Sequence, residues 1–391
     1  MNNKTLQDIC RQIQTPAYVF SYEDFKKRAD LVHTYFGEKT SLCFSIKANP
    51  FLVSMMPNII TRLEVCSPGE LTVCEKNNVD MDRVIYSGVN KGYDDVKRAV
   101  ENKVGVLTCE SISHIEIINE VAKSSNTSVN VYLRLTAGSQ FGMDKSVFCD
   151  IIKNREKYTN INIIGIHYFS GTQKKKASKI QKELEEIDTF LTDIKERFDF
   201  SIDIVEYGTG LAVDYFTDTA DKSEENRISE ISEMIKDFSE KYELTVEMGR
   251  FFAAPCGYYF TRIADTKTNC SINYAICDGG LHQIKYYGQI QGMQTPKISY
   301  LGNTQKATTN RWTLCGSLCT TADILANAVE LPHLKSGDVL CFHRTGAYCV
   351  YEGMSMFLSR DLPRIYLHKN NESALIRERI DTDIFNVGNS F

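Results

Sequence analysis

The stretch SLCFSIKANP (residues 41–50) determines how the rest of the chain is interpreted. Its apolar side chains alternate at Leu42, Phe44 and Ile46, as in a half-buried β-strand, and the asparagine–proline pair at its end stops that strand. Lys47 therefore lies at the end of an apolar strand. A lysine in such surroundings readily loses its proton, and the neutral amine is the form that makes Schiff bases. The alternative is an ordinary surface lysine just beyond a strand end.

The same theme recurs along the first two thirds of the chain: a short apolar run, a polar or glycine stop, then a helix-like stretch. Between the sixth and seventh runs, apolar residues from Ile180 to Phe198 fall on one helical stripe, which predicts a helix packed on a sheet. Eight such alternations predict fold class α/β, with a closed (β/α)8 barrel. An open doubly wound sheet has the same alternation, but the first run lacks the glycine fingerprint of a dinucleotide site. The runs cover residues 42–48, 63–67, 83–88, 104–109, 129–135, 161–169, 202–208 and 244–249.

After about residue 255 the pattern changes to strand-like segments. Together with residues 1–23 they predict a second, mostly β domain, a sandwich or barrel formed by 1–23 and 255–391, beside a barrel domain of 24–254. The segments are residues 258–266, 272–280, 312–319, 338–344 and 363–369.

Composition narrows the functional classes. A length of 391 residues predicts two domains, each with its own hydrophobic core. The net charge of -5 argues against binding to nucleic acid, which requires a basic surface. The basic triplet 174–176 is predicted to be solvated. Thirteen cysteines without a Cys-x-x-Cys pair indicate reduced thiols in the cytoplasm and no metal site. The N-terminus is polar, which predicts that the protein is not exported. The sequence has no run of 18 apolar residues, which predicts that no segment spans a membrane.

Side chains suited to chemistry stand at the carboxyl ends of the predicted strands, where (β/α)8 barrels carry their active sites. The barrel would bring an amine, an imidazole, a glycine turn and a carboxylate to one face. These residues are Lys47, Ser67, Ser87, Gly88, Arg134, His167, Gly208, Thr209, Gly210 and Glu247.

Nine motifs, in order along nearly the whole chain, resemble those of the fold-type III pyridoxal-phosphate decarboxylases, the family of the ornithine, arginine and diaminopimelate decarboxylases. The resemblance implies an alanine racemase/ornithine decarboxylase-like fold and pyridoxal 5'-phosphate as the cofactor. The motifs are TPAYVF (15–20), SIKANP (45–50), VCSPGEL (65–71), IGIHYFSGT (164–172), EYGTGLAVDY (206–215), VEMGRFF (246–252), CDGG (277–280), CGSLCTTAD (315–323) and GAYCVYEGMSMF (346–357).

The resemblance also implies roles around the cofactor. Lys47 would form the Schiff base, and Glu247 would keep the pyridine nitrogen protonated so that the ring can take up electrons. His167 would stack on the ring. The alternatives are an ion pair between Glu247 and Arg250 and an ordinary core histidine at position 167. Glu64 would lie near the ring, or be a strand-edge charge.

The phosphate would be bound by the glycine turn through backbone N–H groups. Family members form homodimers in which the second domain completes the partner's site, so Cys319 and Asp323 would act across the interface, the cysteine controlling where the intermediate is protonated. The cofactor-binding set is Lys47, Glu64, His167, Ser170, Gly208, Thr209, Gly210, Glu247, Gly249, Arg250 and Tyr348.

Departures from the family pattern bear on the substrate. Thr320 follows the interface cysteine where the family has an acid, and residues 281–294 contain no acid to pair with a distal ammonium. Burying that ammonium unpaired would cost several kcal/mol. A non-cationic distal end is therefore predicted, with Asp323 kept as a possible partner for a cation, and the chain is placed in a divergent branch. Predicted substrate contacts are Asp323, Arg134, His282, Lys285 and Tyr286, although Lys285 could simply face solvent.

The predicted function is thus decarboxylation of an amino acid, free or carrier-bound, through a Schiff base on Lys47, with Cys319 and His167 as the other catalytic residues. A racemase of the same fold is one alternative, but racemases set an arginine against the ring nitrogen, where this chain has Glu247. A non-catalytic regulator that kept the fold is the other, and retention of Lys47, Glu247, His167 and Cys319 argues against it.

Overall fold

The computed structural model describes residues 1–302 and 308–388. Its chain divides into two compact units. The barrel unit consists of Arg28–Val213 and Asp221–Phe251, and the β unit of Met1–Lys27, Asp214–Ala220 and Phe252–Phe391. The segment Asp214–Ala220, which the predicted boundaries assign to the barrel, groups with the β unit.

Strands and helices alternate through the barrel unit, whereas strands predominate after it. The strands are β1 (Ala17–Ser21), β2 (Thr40–Ser45), β3 (Arg62–Val65), β4 (Val84–Tyr86), β5 (Val106–Cys109), β6 (Val129–Leu135), β7 (Ile161–Phe169), β8 (Ile204–Gly208), β9 (Glu243–Met248), β10 (Gly257–Asn269), β11 (Ile272–Cys277), β12 (Ile298–Tyr300), β13 (Thr309–Cys315), β14 (Ile324–Pro332), β15 (Val339–His343), β16 (Arg364–Lys369) and β17 (Glu372–Arg377). The helices are α1 (Asn3–Cys10), α2 (Tyr22–Phe36), α3 (Pro68–Lys76), α4 (Tyr93–Glu101), α5 (Ile112–Ser124), α6 (Lys145–Lys153), α7 (Ala177–Phe198), α8 (Ala220–Lys241) and α9 (Arg250–Ala253).

Strands β2 to β9 form a closed parallel barrel in chain order, with β9 pairing back onto β2. The predicted (β/α)8 barrel is confirmed, and the open doubly wound sheet is excluded. Side chains fill the interior; Cys43, Ile85, Val106 and Tyr132 form one buried cluster there. Because all eight strands are parallel, their carboxyl ends lie at one mouth of the barrel.

Local sequence fixes where the barrel helices begin and which face they bury. Ser67 caps α3 by accepting the Glu70 N–H, and Glu70 in return accepts the Cys66 N–H at 2.6 Å, which stops β3 at the barrel mouth. In α7 the stripe predicted from sequence is buried, except that Phe198 at its end is partly exposed.

Within the part of the chain that is described, the β unit holds a sheet of nine strands, as predicted for a mostly β second domain. Its main path runs β14-β13-β11-β10-β1-β16-β17, and β15 joins it through β10 and carries β12. Helix α1 packs its buried residues Leu6 and Ile9 into a core with Val19, Phe260 and Cys341. Over the residues that are described, none of the helices is both long and apolar enough to span a membrane.

Candidate active site

Lys47 was predicted at the end of a strand over residues 42–48, but it lies just beyond the observed strand. Strand β2 ends at Ser45, and Lys47 sits in a short 3-10 turn, Ile46–Ala48. Gly249 packs against this turn so closely that a Cβ there would lie 3.0 Å from the Ala48 Cβ and 3.2 Å from the Ser45 carbonyl oxygen. A glycine after β9 is therefore what allows the lysine-bearing turn to rest against the end of that strand.

The Lys47 amine lies between two buried carboxylates. Its Nζ donates to Glu64 Oε2 at 2.8 Å and lies 3.6 Å from Glu247 Oε1. The lysine side chain is 38% exposed, against 2% for Glu64 and 6% for Glu247. The ammonium is thus paired, which removes the cost of an isolated charge, yet it remains accessible from the barrel mouth.

Glu247 is held as an anion. Its Oε1 accepts the Ser45 hydroxyl at 2.5 Å, and its Oε2 lies 3.1 Å from His167 Nε2. Burial opposes the negative charge, but Lys47, His167 and Ser45 together outweigh it and hold the pKa of Glu247 below its usual range. This carboxylate therefore remains charged at neutral pH, as the predicted contact with a protonated pyridine nitrogen requires.

Cys66 is a neighbour of Lys47 that sequence reasoning missed. Its Sγ lies 3.6 Å from Lys47 Nζ and donates to Glu64 Oε1 at 3.0 Å. Burial and the Glu64 carboxylate raise the pKa of the Cys66 thiol, so it is a neutral donor. The signal was its position in VCSPGEL, two residues after Glu64 and so on the same face of the strand.

His167 and Phe169 share the inner face of β7, being two residues apart. His167 is 1% exposed and is bound to Glu247, whereas Phe169 is partly exposed. A Cβ on Gly208 would fall 2.4 Å from Phe169 Cδ2, so the Phe169 ring lies against this glycine. Phe169 is thus the aromatic ring beside the glycine turn.

The glycine turn after β8 is tightly constrained. Gly210 has φ +59°, and a Cβ on it would lie 1.9 Å from the Gly171 carbonyl oxygen. The Lys174 N–H donates to the Gly210 carbonyl at 2.8 Å. Thr209 is fully buried, and its hydroxyl has no hydrogen-bond partner among the residues described. A small anion at this turn would find backbone N–H groups and an unused hydroxyl.

Ser170, one of the predicted cofactor-binding residues, belongs to a hydrogen-bond network behind the turn. Its hydroxyl donates to Glu183 Oε1 at 2.5 Å, and Glu183 Oε2 accepts Lys174 Nζ and the Tyr207 hydroxyl, each at 2.6 Å. The prediction that residues 174–176 are solvated is wrong for Lys174, which is 4% exposed. Lys174 and Glu183 form a buried ion pair that anchors the segment holding Gly210.

Arg134, predicted to contact the substrate, is engaged within the barrel. Its Nη1 donates to Glu110 Oε1 at 2.8 Å, and its guanidinium lies 4.8 Å from the centre of the Phe141 ring. Glu110 Oε2 also accepts the Gly142 N–H. Burial opposes the Glu110 charge, but Arg134 and this N–H lower the pKa of Glu110 below its ordinary value. The charge of Arg134 is therefore already balanced.

The predicted substrate contacts of the β unit have different environments. Asp323 Oδ1 accepts the Leu281 N–H and Oδ2 the Leu318 N–H, both at 2.8 Å, so both oxygens are used to hold two loops. This argues against Asp323 as the partner of a substrate ammonium. Tyr286 is buried and donates to the His343 carbonyl at 2.6 Å, which makes it a core residue.

The remaining candidates of the β unit are less constrained. His282 is buried, its Nδ1 has no hydrogen-bond partner among the described residues, and burial together with Arg360 lowers its pKa to about 4. Lys285 and Cys319 are exposed, and Tyr348 is partly buried with φ +64°. The described residues include no group of three metal-ligating side chains.

Comparison with known proteins identifies the family. The pyridoxal-binding domain of the pyridoxal-dependent decarboxylases matches residues 22–254. The chain belongs to this family. It is 24% identical to the L-glutamyl-[BtrI acyl-carrier protein] decarboxylase of Niallia circulans, covering 96% of this chain and 94% of that protein. It is also 24% identical to the diaminopimelate decarboxylase of Methanocaldococcus jannaschii, with 95% and 90% covered.

Solved structures agree on the fold. The diaminopimelate decarboxylase of M. jannaschii superposes with a TM-score of 0.85 at 23% identity, over 98% of this chain and 94% of that one. The lysine/ornithine decarboxylase of Vibrio vulnificus gives 0.81 at 17% identity, over 95% and 98%. The predictions of a fold-type III decarboxylase, of a carboxy-lyase and of pyridoxal phosphate as cofactor are confirmed at the level of the family.

The residues present fit that cofactor. Lys47 supplies the amine, Glu247 supplies an anion for a pyridinium N–H, and the glycine turn offers N–H groups and the unused Thr209 hydroxyl to a phosphate. All of them lie in the barrel unit, at the carboxyl ends of its strands.

Proposed function

We propose that the protein decarboxylates an amino acid whose distal end is not cationic, with Lys47 as the Schiff-base lysine. The observation that carries this proposal is the position of Lys47 Nζ between the buried carboxylates of Glu64 and Glu247. Pyridoxal phosphate, when bound, supplies the electron sink for the electron pair released as carbon dioxide leaves.

The barrel residues divide the work by charge. Glu64, 2.8 Å from Lys47 Nζ, is placed to hold the proton that the lysine gives up before its nitrogen can react. Glu247 stays negative and would keep a bound pyridine nitrogen protonated, while His167 orients that carboxylate from 3.1 Å. The stacking contact of His167 with the ring stays a prediction, and Phe169, partly exposed beside the glycine turn, is a second aromatic ring that would line the cofactor's place. Ser170 supports the phosphate turn through Glu183.

The substrate preference follows from the acids that are missing or already engaged. Residues 281–294 contain no acid, and both oxygens of Asp323 accept backbone N–H groups. A substrate ammonium would have to give up water without a matching carboxylate at either place. The relatives do not decide the matter, since one is named for a carrier-bound glutamyl group and others for diaminopimelate.

Carbon dioxide release from a panel of substrates tests this preference. We expect kcat/KM for acidic or neutral side chains, including glutamate and its pantetheine thioester, to exceed that for ornithine and lysine by roughly 100-fold, the effect of about 3 kcal/mol of uncompensated charge. Diaminopimelate carries both a carboxylate and an ammonium at its far end. Its rate therefore distinguishes an enzyme that requires a distal carboxylate from one that rejects a distal ammonium. Preferred turnover of ornithine or lysine would show the specificity proposal to be wrong.

We further propose a homodimer in which Cys319 of one chain acts at the Lys47 site of the other. Cys319 is exposed, as a residue that serves a partner's site must be in the isolated chain. Mixed dimers of Lys47→Ala and Cys319→Ala chains would contain one site with both residues intact. We expect mixing of the two slow variants to restore about a quarter of the wild-type rate, since half of the dimers are mixed and each has one good site. Restoration that fails although mixed dimers form would contradict the shared site.

The cysteines bear on the compartment. All thirteen are free thiols, including the buried Cys43, Cys109 and Cys277. Free thiols in this number suit the reducing cytoplasm, which we infer as the protein's location.

A further inference from the structure

Glu206 is a buried carboxyl group that the proposed mechanism does not use. It lies on β8, is 0% exposed, and neither of its oxygens has a hydrogen-bond partner among the residues described. Buried polar groups are nearly always paired, and leaving one unpaired is unfavourable. An unpaired carboxylate in the barrel interior therefore needs an explanation.

The strand register places Glu206 beside the hydrogen-bonded pair of His167 and Glu247. Glu206 is in register with His167 on β7, and Gly208 is in register with Glu247 on β9. His167 reaches Glu247 across β8, the strand between them. Residues in register on neighbouring parallel strands face the same side, so the imidazole passes over Glu206 on its way to Glu247.

The charges around Glu206 are mostly negative. Burial is the largest of the effects that raise the pKa of Glu206 well above its usual range, and the Glu247 and Glu64 carboxylates raise it further. Lys47 and Arg134 lower the pKa, but more weakly. Arg134 is already paired with Glu110. Lys47 is already shared by Glu64 and Glu247, and His167 and Ser45 are bound to Glu247, so these neighbours offer a third carboxylate no counter-ion of its own. The groups that face Glu206 are Glu247 (β9), Glu64 (β3), Lys47 (after β2), Arg134 and Tyr132 (β6), Cys43 (β2) and His167 (β7).

We propose that Glu206 is a neutral carboxylic acid in the working enzyme and a positioning residue, whose retained proton allows Glu247 to keep its negative charge for the ring nitrogen. This inference rests on the proposed role of Glu247. If Glu206 ionised, its carboxylate would repel Glu247 and Glu64 and draw the Lys47 and His167 protons toward itself. The neutral acid avoids both effects and leaves Glu247 as the anion that would pair with a pyridinium N–H.

Difference infrared spectroscopy tests the protonation state directly. Wild-type protein at neutral pH is expected to show the carbonyl stretch of a protonated carboxylic acid, and Glu206→Gln to lack it. Glu196→Gln, an exposed glutamate on α7, is the matched control and should keep the band. A wild type without the band, or a band that persists in Glu206→Gln, would overturn the proposal. The band can be read without cofactor on Lys47, so its outcome is separate from that of the decarboxylase proposal.

The pH dependence of stability gives a second readout. A folded-state pKa raised above the ordinary 4.5 means that the folded protein holds a proton that the unfolded chain has lost. Stability from this proton is complete below pH 4.5 and declines as pH rises toward the folded-state pKa, by about tenfold in the folding equilibrium per pH unit. Glu206→Gln should therefore match wild type near pH 4.5 and melt at increasingly higher temperature than wild type above it. A gap that is constant with pH would contradict the proposal.

Two further measurements keep the test decisive. The absorbance of bound cofactor should change in wild type when Glu206 ionises at high pH, and this transition should be absent from Glu206→Gln; a transition common to both proteins counts against the positioning role. If Glu206→Gln does not fold, Glu206→Met takes its place.

Isotope labelling tests the assignment of the infrared band. Incorporation of 13C-carboxyl glutamate into the wild type must shift the band, and a band that does not shift refutes the assignment to a glutamic acid.

Discussion

Replacing Lys47 by alanine is expected to abolish the yellow colour of the protein with pyridoxal phosphate and to lower kcat by at least about 10³-fold, because the nucleophilic amine is lost. The amine is partly exposed at the barrel mouth and is the group that Glu64 and Glu247 surround. Its two nearest neighbours described here cannot replace it, since Cys66 is a neutral thiol and Glu64 an acid. The measurements are the absorbance spectrum after incubation with cofactor and the rate of carbon dioxide release.

Two controls separate chemistry from folding. Lys47→Arg keeps a positive charge for Glu64 and Glu247 but has no amine that can be deprotonated, so it should fold, remain colourless and be inactive. Lys39→Ala removes an exposed lysine of the barrel unit, paired with Glu240, and should behave as wild type. Retained colour in Lys47→Arg would mean that another lysine carries the cofactor, and the proposed active site would then be wrong.

The barrel and the centre of the site could be predicted from sequence for a physical reason. Period-two apolar runs ended by glycine or polar residues specify strands, and eight parallel strands bring their last residues to one mouth. Lys47, His167 and Glu247 meet there as expected from the pattern, and Glu64, which only the family resemblance had placed near the ring, lies with them. Lys47 itself differs in one detail. It lies in a 3-10 turn after the strand, and this turn places its amine between the carboxylates of Glu64 and Glu247.

Pairing between distant polar residues is what the sequence did not reveal. Ser170 is hydrogen-bonded to Glu183, 13 residues away, and Arg134 to Glu110, 24 residues away. Asp323 accepts the N–H of Leu281, 42 residues away. Periodicity states which face of an element a residue occupies, but the partner on that face depends on packing between elements.

Edge strands were missed for a related reason. Strand β17 was not predicted, and most of its side chains are exposed on both faces, so its sequence has no alternation to detect. The short strand β12 has three residues, too few for a periodic signal. Elements that bury little apolar surface leave little pattern in a sequence.

The buried ion pair behind the glycine turn has the largest expected effect on stability. Glu183→Gln keeps the shape of the side chain but leaves the Lys174 ammonium, 4% exposed, without its anion. Removing one partner of a buried pair costs about 3–5 kcal/mol, because the remaining charge stays desolvated. Urea unfolding of the cofactor-free variant should show this loss. Its affinity for pyridoxal phosphate should fall about tenfold, since the Lys174 N–H pins the Gly210 carbonyl.

The same helix offers a matched control. Glu186→Gln breaks the exposed pair with Lys182, 3.8 Å apart, and should change the free energy of unfolding by less than about 0.5 kcal/mol. Adding Lys174→Met to Glu183→Gln removes the stranded charge and should recover part of the lost stability, so a double-mutant cycle measures the coupling. If Glu183→Gln proved as stable as Glu186→Gln, the ion pair would not anchor the turn. Cofactor binding would then depend on the backbone of residues 208–210 alone.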